Sequence, residues 1–302
     1  MKIAGRADHS ARSRPTNHTS SNAMTAHHSK HYVTERTARE QIAQVAREIY
    51  TRKLSGATDG NISVRIGNER IATTPSGVHK GRLTADQVMV VNLQGEVIGR
   101  PAKRADGTPL RPSSELALHL EAYRRRPDVG AVIHAHPPNA IAFTLAGGQL
   151  SQTLVSEVVF ACGQIATAPY TTPTTNQVPE IIGEYMRCYD VVMMLRHGSV
   201  TLGGDLDSAL AKLDALEHTA GIYCMVKLLG GATPIADPEV AKLFALAHSQ
   251  TPLYRIAGEH CPAPEPPLAL RDGKRAVGEV SGAVSGDGAL IDAVMRQLGS
   301  KS

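Results

Sequence analysis

Apolar residues first recur at helical spacing beyond Thr37, where Ile42, Val45, Ala46, Ile49 and Tyr50 share a face and Gly56 supplies a stop. The period then shortens to two. Residues 61–66 and 70–74 alternate on either side of Gly67-Asn68 and predict a hairpin, and residues 88–93 and 97–98, divided by Gln94-Gly95, predict a second. Residues 114–126 predict a helix with Leu116, Leu120 and Tyr123 on one face and Ser113 or Ser114 as its cap. A buried strand is predicted over 131–136, a short helix over 140–146 and an apolar strand over 190–195. A long helix over 207–229, ended by Gly230-Gly231, and a further helix over 238–248 follow.

The pattern also marks the borders. Residues 1–34 are rich in His, Ser, Thr, Asn and Arg and have no apolar period, which predicts a disordered basic tail. Within it, Ser21-Asn22-Ala23-Met24 reads either as an artificial junction or as an upstream extension before a start at Met24. Residues 251–302 form an extension in which Pro262, Pro264, Pro266 and Pro267 give way to a Gly/Ser-rich stretch, closed by a short amphipathic helix over 289–298. Residues 35–250 contain no internal repeat and read as one α/β domain with predominantly antiparallel strands.

Composition narrows the function classes. The chain has no Trp and 3 Phe, so its core rests on aliphatic residues, and stacking platforms for single-stranded nucleic acid are not expected. Much of the net charge of +4 comes from the tail, where Lys2, Arg6, Arg12, Arg14 and Lys30 face Asp8 alone. The central region mixes signs, which argues against a nucleic-acid surface and leaves room for a local cationic pocket. Cys162, Cys188, Cys224 and Cys261 form no close pair of the Cys-x-x-Cys kind, and no apolar leader follows the basic residues, so reduced thiols and a cytoplasmic setting are expected. No apolar run approaches the roughly 18–20 residues that span a bilayer, so membrane insertion is not expected.

The strongest chemical signal is His134-Ala135-His136. On a strand, residues two apart point to the same face, so the imidazoles stand side by side as a chelating pair requires. His197, ending the predicted strand over 190–195, offers a third nitrogen; three imidazoles with one open position suit a catalytic divalent ion. Glu115 follows Ser113-Ser114 at a helix start, where it reads as a capping acid or as a base beside a polarised carbonyl. Gly60-Asn61-Ile62-Ser63 and Thr74-Pro75-Ser76-Gly77 are turn signals first, but with Ser113 and Ser114 they could cradle a phosphate. His79 and Lys80 follow the second turn and could reach the same anion, and His119, one turn after Glu115, could tune the carboxylate or pack. Tail residues His9, His18, His27, His28 and His31 could capture metal without a scaffold.

Taken in order, Gly60-Asn61-x-Ser63, Thr74-Pro75-Ser76-Gly77, Pro112-Ser113-Ser114-Glu115-x-x-x-His119, His134-x-His136-Pro137 and His197-Gly198 resemble the class II aldolase/adducin family over roughly residues 38–232. Within it the chain is most similar to the L-fuculose-1-phosphate aldolases, including Ala168-Pro169-Tyr170 and the helical stretch from Leu206 to Tyr223. The resemblance implies a three-layer α/β/α fold around a predominantly antiparallel sheet. It also implies a homotetramer with one Zn2+ per subunit on His134, His136 and His197. Glu115 would move the proton, and Gly60, Asn61, Ser76, Gly77, Ser113 and Ser114 would hold the substrate phosphate. The implied reaction is cleavage of a phosphorylated ketose to dihydroxyacetone phosphate and an aldehyde through an enediolate. The same metal site in the family supports decarboxylation of hydroxy-acid substrates, dehydration and pentulose-phosphate 4-epimerisation, and a non-catalytic adducin-like binding module is the reading from another class. The two tyrosines that the fuculose enzymes place near the aldehyde have no counterpart in Val155-Ser156-Glu157 or at Gln250, although Tyr254 lies close by.

Overall fold

Thr34 caps helix α1 (Glu35–Thr51), its hydroxyl accepting the Thr37 amide at 3.1 Å. The structure is a computed structural model and describes residues 32–99, 102–104, 106–250 and 260–265. The expectations of a tail over 1–34 and of a terminal helix over 289–298 therefore fall wholly or almost wholly outside the described residues, as does Tyr254.

Seven strands follow the predicted alternation where the sequence is strongly patterned. They are β1 (Asn61–Arg65), β2 (Ile71–Thr73), β3 (Met89–Val91), β4 (Ala131–Ala135), β5 (Ile165–Ala168), β6 (Val191–Met194) and β7 (Gly198–Gly203). They form one sheet in the order β3-β2-β1-β4-β7-β6-β5, every neighbouring pair antiparallel except β5 with β6. The second predicted hairpin survives as a bridge between Val91 and Val97 beside β3. Between the strands run α2 (Leu116–Arg125), α3 (Pro138–Leu145), α4 (Glu157–Cys162), α5 (Gln177–Cys188), α6 (Leu206–Leu228) and α7 (Asp237–Gln250).

The side-chain period of two sorts the core into layers. Ile62 and Val64 of β1 and Ala131, Ile133 and Ala135 of β4 pack with Ile42, Val45 and Ile49 of α1 and Leu213 of α6. Val132 of β4 and Val200 and Leu202 of β7 pack with Leu120 and Tyr123 of α2 and Ile182 and Met186 of α5. Helices thus cover both faces, giving the three-layer α/β/α architecture. Each fully buried Ile or Leu contributes roughly 1.5–3 kcal/mol.

The alternation also decides where the chemistry faces. Since Ile62 and Ile133 point toward α1, their neighbours Asn61, Ser63 and His134 point toward α2, the helix whose first residues follow Glu115.

Three features depart from the sequence expectations. β7, β5, α4 and α5 are not predicted by periodicity alone. β7 (Gly-Ser-Val-Thr-Leu-Gly) is buried because it lies between β4 and β6, and its own two large apolar residues would not announce it. The helix expected from residue 114 begins at Leu116, with Glu115 at the N-cap rather than inside the first turn.

The third departure concerns the cysteines: Cys188 and Cys261, expected as separate thiols, are joined by a disulfide across 73 residues. The end of α5 and residues 260–265 meet at the outer edge of the sheet, where the Thr167 amide donates to the Pro264 carbonyl at 2.6 Å and the Tyr189 hydroxyl to the Pro262 carbonyl at 2.6 Å. Such a pair is invisible to local spacing. Thiol titration of the denatured, unreduced protein is expected to find Cys162 and Cys224 only; a count including all 4 cysteines would show that the bond does not form. Among the described residues, no helix is long and apolar enough to cross a membrane.

Candidate metal centre

β4 is the central strand of the sheet, and its C-terminal end delivers His134 with His136 just beyond it. Asn61 lies opposite His134 in β1, and Val200 opposite it in β7. The third imidazole comes from the tight connection between β6 and β7, where the His197 amide closes onto the Met194 carbonyl at 3.0 Å and Arg196 takes φ 62°. Gly198 is required here for space. A Cβ at this position would stand 2.5 Å from the Ala135 carbonyl oxygen and 2.6 Å from Cδ2 of His136.

The three rings converge, with metal-binding nitrogens all within 4.8 Å of one another. His134 is wholly buried, and its Nδ1 lies 2.9 Å from the Ser199 carbonyl. A carbonyl can only accept, so Nδ1 carries the proton and Nε2 keeps its lone pair directed at the site. That nitrogen lies 3.1 Å from Nε2 of His136. A proton on His136 Nε2 or a shared cation satisfies two ring nitrogens at this distance, and tetrahedral bonds of about 2.0–2.1 Å to a shared ion would hold them about 3.3 Å apart. The donor set therefore fits a divalent metal.

Glu115 closes the cluster from the α2 side. Its Oε2 lies 3.3 Å from His134 Nε2 and its Oε1 lies 3.2 Å from His197 Nε2, and the Asn61 amide donates to Oε2 at 3.1 Å. Burial pushes the Glu115 carboxyl up, but in the metal-free site the imidazoles of His134 and His197, when protonated on the nitrogens that face it, outweigh this by hydrogen bonding and charge and hold it well below the usual carboxylate range. A bound cation acts in the same direction. Burial, with the charges of His134 and His197, lowers His136 to about 4, so it is neutral at physiological pH as a ligand must be.

Behind the carboxylate, the Ser63 hydroxyl joins His119 Nδ1 at 2.7 Å and the Tyr123 hydroxyl at 2.8 Å. His119 is fully buried, and burial, reinforced by the His134 charge, lowers it to about 3. His119 therefore folds neutral, whereas in the unfolded chain it titrates near 6.5. Its contribution to stability is fully present above about pH 6.5 and is lost as pH falls toward its folded value, because the unfolded state binds the proton first. The urea midpoint of the metal-free protein is expected to fall from pH 7 to pH 4, less steeply in His119→Asn. Parallel curves would remove His119 as the cause.

The turn residues are brought together less directly. Gly60, at φ 70°, lets the backbone pass the His134 carbonyl, which an added Cβ would meet at 2.6 Å. The antiparallel bridge between Pro75 and Pro112 ties the Ser76 turn to the segment that leads into Ser113, and the Ser76 amide donates to the Arg111 carbonyl at 2.8 Å. The Ser113 hydroxyl accepts the Glu115 amide at 3.2 Å. Ser114 and Gly77 are exposed. Lys80 is buried, its ammonium donating to the Thr58 and Val78 carbonyls, and burial lowers it to about 8.

Sequence reasoning does not single out Asp59, 4.0 Å from His136 Nδ1, or Ser199, whose backbone carbonyl fixes the His134 tautomer. A cavity of about 300 Å³ opens at the other end of the sheet, lined by Arg126, Asp190, Lys212 and Cys162 among others. Its cations are already paired, Arg126 with Asp128 and Asp190 and Lys212 with Asp190, so it is a structural ion network.

The family's sequence profile, described as the class II aldolase and adducin N-terminal domain, matches residues 40–224, a span that contains every residue of this cluster. The chain belongs to the class II aldolase and adducin family. A 5-deoxy-D-ribulose 1-phosphate aldolase from Bacillus thuringiensis serovar kurstaki is 30% identical over 207 residues, covering 68% of this chain and 92% of that protein. A 3-oxo-tetronate 4-phosphate decarboxylase from Haemophilus influenzae is 26% identical over 195 residues, 63% of this chain and 89% of that protein. Among solved structures, an L-fuculose 1-phosphate aldolase shares the fold with a TM-score of 0.62 at 24% identity, over 70% of this chain and 95% of that one. These aldolase and decarboxylase relatives support a lyase role for this member of the family.

Proposed function

We propose that this chain is a zinc-dependent aldolase that cleaves a phosphorylated ketose of the L-fuculose 1-phosphate kind to dihydroxyacetone phosphate and an aldehyde, as a cytoplasmic homotetramer with one ion per subunit. The observation that carries this reading is the convergence of three imidazoles on an ionised carboxylate held by Asn61. His134, His136 and His197 would hold the metal, which when bound supplies Lewis-acid polarisation of the ketose oxygens.

Glu115 does the proton work. In the cleavage direction the C4 hydroxyl proton leaves to solvent, the bond between C3 and C4 breaks with its electron pair staying on C3, and C4 departs as the aldehyde carbon; Glu115, ionised at rest, takes up one proton from solvent and delivers it to C3. In the condensation direction the ionised carboxylate takes that proton back. Asn61 holds one carboxylate oxygen, so the other can be directed at the substrate carbon without a rotamer search. Gly60, Asn61, Ser76, Gly77, Ser113 and Ser114 would hold the phosphate through amides and hydroxyls.

A second reading, decarboxylation of a phosphorylated 3-oxo acid, is favoured by the decarboxylase relative. A panel of ketose 1-phosphates, pentulose 5-phosphates and phosphorylated 3-oxo acids with product identification separates the two. Dihydroxyacetone phosphate released from a ketose 1-phosphate is the expected product; carbon dioxide from an oxo acid with no aldol cleavage would replace this reading by the second.

A further inference from the structure

The neutral donors assigned to the phosphate leave a charge unaccounted for. A phosphate monoester carries about −1.5 to −2 at pH 7, and the side chains that would surround it, Asn61, Ser76, Ser113 and Ser114, carry none. Lys80 is close in sequence but is buried with its ammonium on two backbone carbonyls. A cation that faces outward at the turn would balance that charge.

Arg104 meets that description. It sits on a small hairpin closed by the Lys103–Pro109 bridge, with its amide donating to the Thr108 carbonyl at 2.8 Å and the Leu110 amide to the Ala102 carbonyl at 2.7 Å. The returning strand leads to Arg111 and Pro112, which pair with Ser76 and Pro75, so the hairpin is anchored to the turn it overhangs. The guanidinium donates to the Gly77 carbonyl through Nη1 and to the Ser76 carbonyl through Nη2, each at 3.3 Å. Gly77 leaves room for this approach, since a Cβ there would lie 3.1 Å from Nη2.

These bonds are long and go to neutral acceptors, and phosphate oxygens are stronger ones, matched to the planar fork of a guanidinium. Asp106, the acid on the same hairpin, has one carboxylate oxygen engaged by the Thr108 amide and hydroxyl. Among the described residues no carboxylate lies within ion-pair distance of Arg104.

We propose that Arg104 is the cationic ligand of the substrate phosphate, closing over the Ser76-Gly77 turn and setting a preference for phosphorylated over unphosphorylated substrates. This rests on the assignment of the phosphate to that turn. Arg104 is exposed and off the metal cluster, so its role is in binding and it takes no part in proton transfer.

The test is calorimetric titration of the full chain, metal-loaded, with inorganic phosphate, using wild type, Arg104→Ala, Arg104→Lys, Ser113→Ala and, as a control on the same hairpin, Lys103→Ala. Arg104→Ala is expected to weaken phosphate binding roughly ten- to a hundredfold, as loss of a charge-assisted contact does. Arg104→Lys should recover part of the loss, and Lys103→Ala should bind as wild type. With the substrate identified by the product panel, Arg104→Ala should raise KM and leave kcat within about twofold. Wild-type phosphate affinity in Arg104→Ala, with weakened binding in Ser113→Ala, would overturn the role of Arg104 and leave the turn as the phosphate site. No binding by wild type, or no loss in Ser113→Ala, would remove the phosphate from the turn and this proposal with it.

Discussion

Glu115→Gln is expected to lower turnover by about 10² to 10⁴ while the protein keeps its metal. The range is that for removing a positioned general acid or base. The substitution is nearly isosteric, so the amide oxygen can still accept from Asn61, which now donates to Oε2 at 3.1 Å. The three imidazoles are untouched, and His134 remains fixed by Ser199 at 2.9 Å. What disappears is the group that can carry a proton. Metal analysis and steady-state kinetics on the same preparation check this: lost turnover with retained metal fits the assigned role, and turnover near wild type removes Glu115 from the chemistry.

Gly198→Ala is expected to act on the metal site from behind. The new methyl would lie 2.5 Å from the Ala135 carbonyl and 2.6 and 3.1 Å from ring carbons of His136 and His134. The backbone contact cannot be relieved by a rotamer change, so β4 and β7 must separate or the rings must tilt. Overpacking of this kind costs about 1–3 kcal/mol. Here the strain falls on two of the three nitrogens, so metal affinity should drop with stability. Denaturant titration with and without added zinc reads both; a variant whose zinc-dependent stabilisation equals that of wild type would show that the rings tolerate the methyl.

Parts of this site are legible in the sequence for simple reasons. His134 and His136 can be paired because strand alternation is a local rule, and β4 obeys it. Glu115 and His119 can be placed on one helix face for the same reason, although only the packing shows that His119 bonds Ser63 and not the carboxylate. His197 is legible as the end of an apolar strand, whereas β7, which begins at the next residue, is not, because its burial comes from its neighbours. The disulfide spans 73 residues and follows no local spacing. Arg104 lies 28 residues from Ser76, and nothing in the intervening sequence states that the hairpin folds back over the turn. In each case the unreadable part is a contact made by tertiary packing between elements whose own patterns are ordinary.

Three histidines holding one divalent ion is the central claim, and metal stoichiometry tests it most directly. Because the N-terminal tail carries histidines of its own, the comparison is between the full chain and its His134→Gln variant, both dialysed against the same weak chelator and measured by elemental analysis. One equivalent of divalent metal per chain should be present in wild type and absent in the variant. Equal metal content in the two would contradict the site.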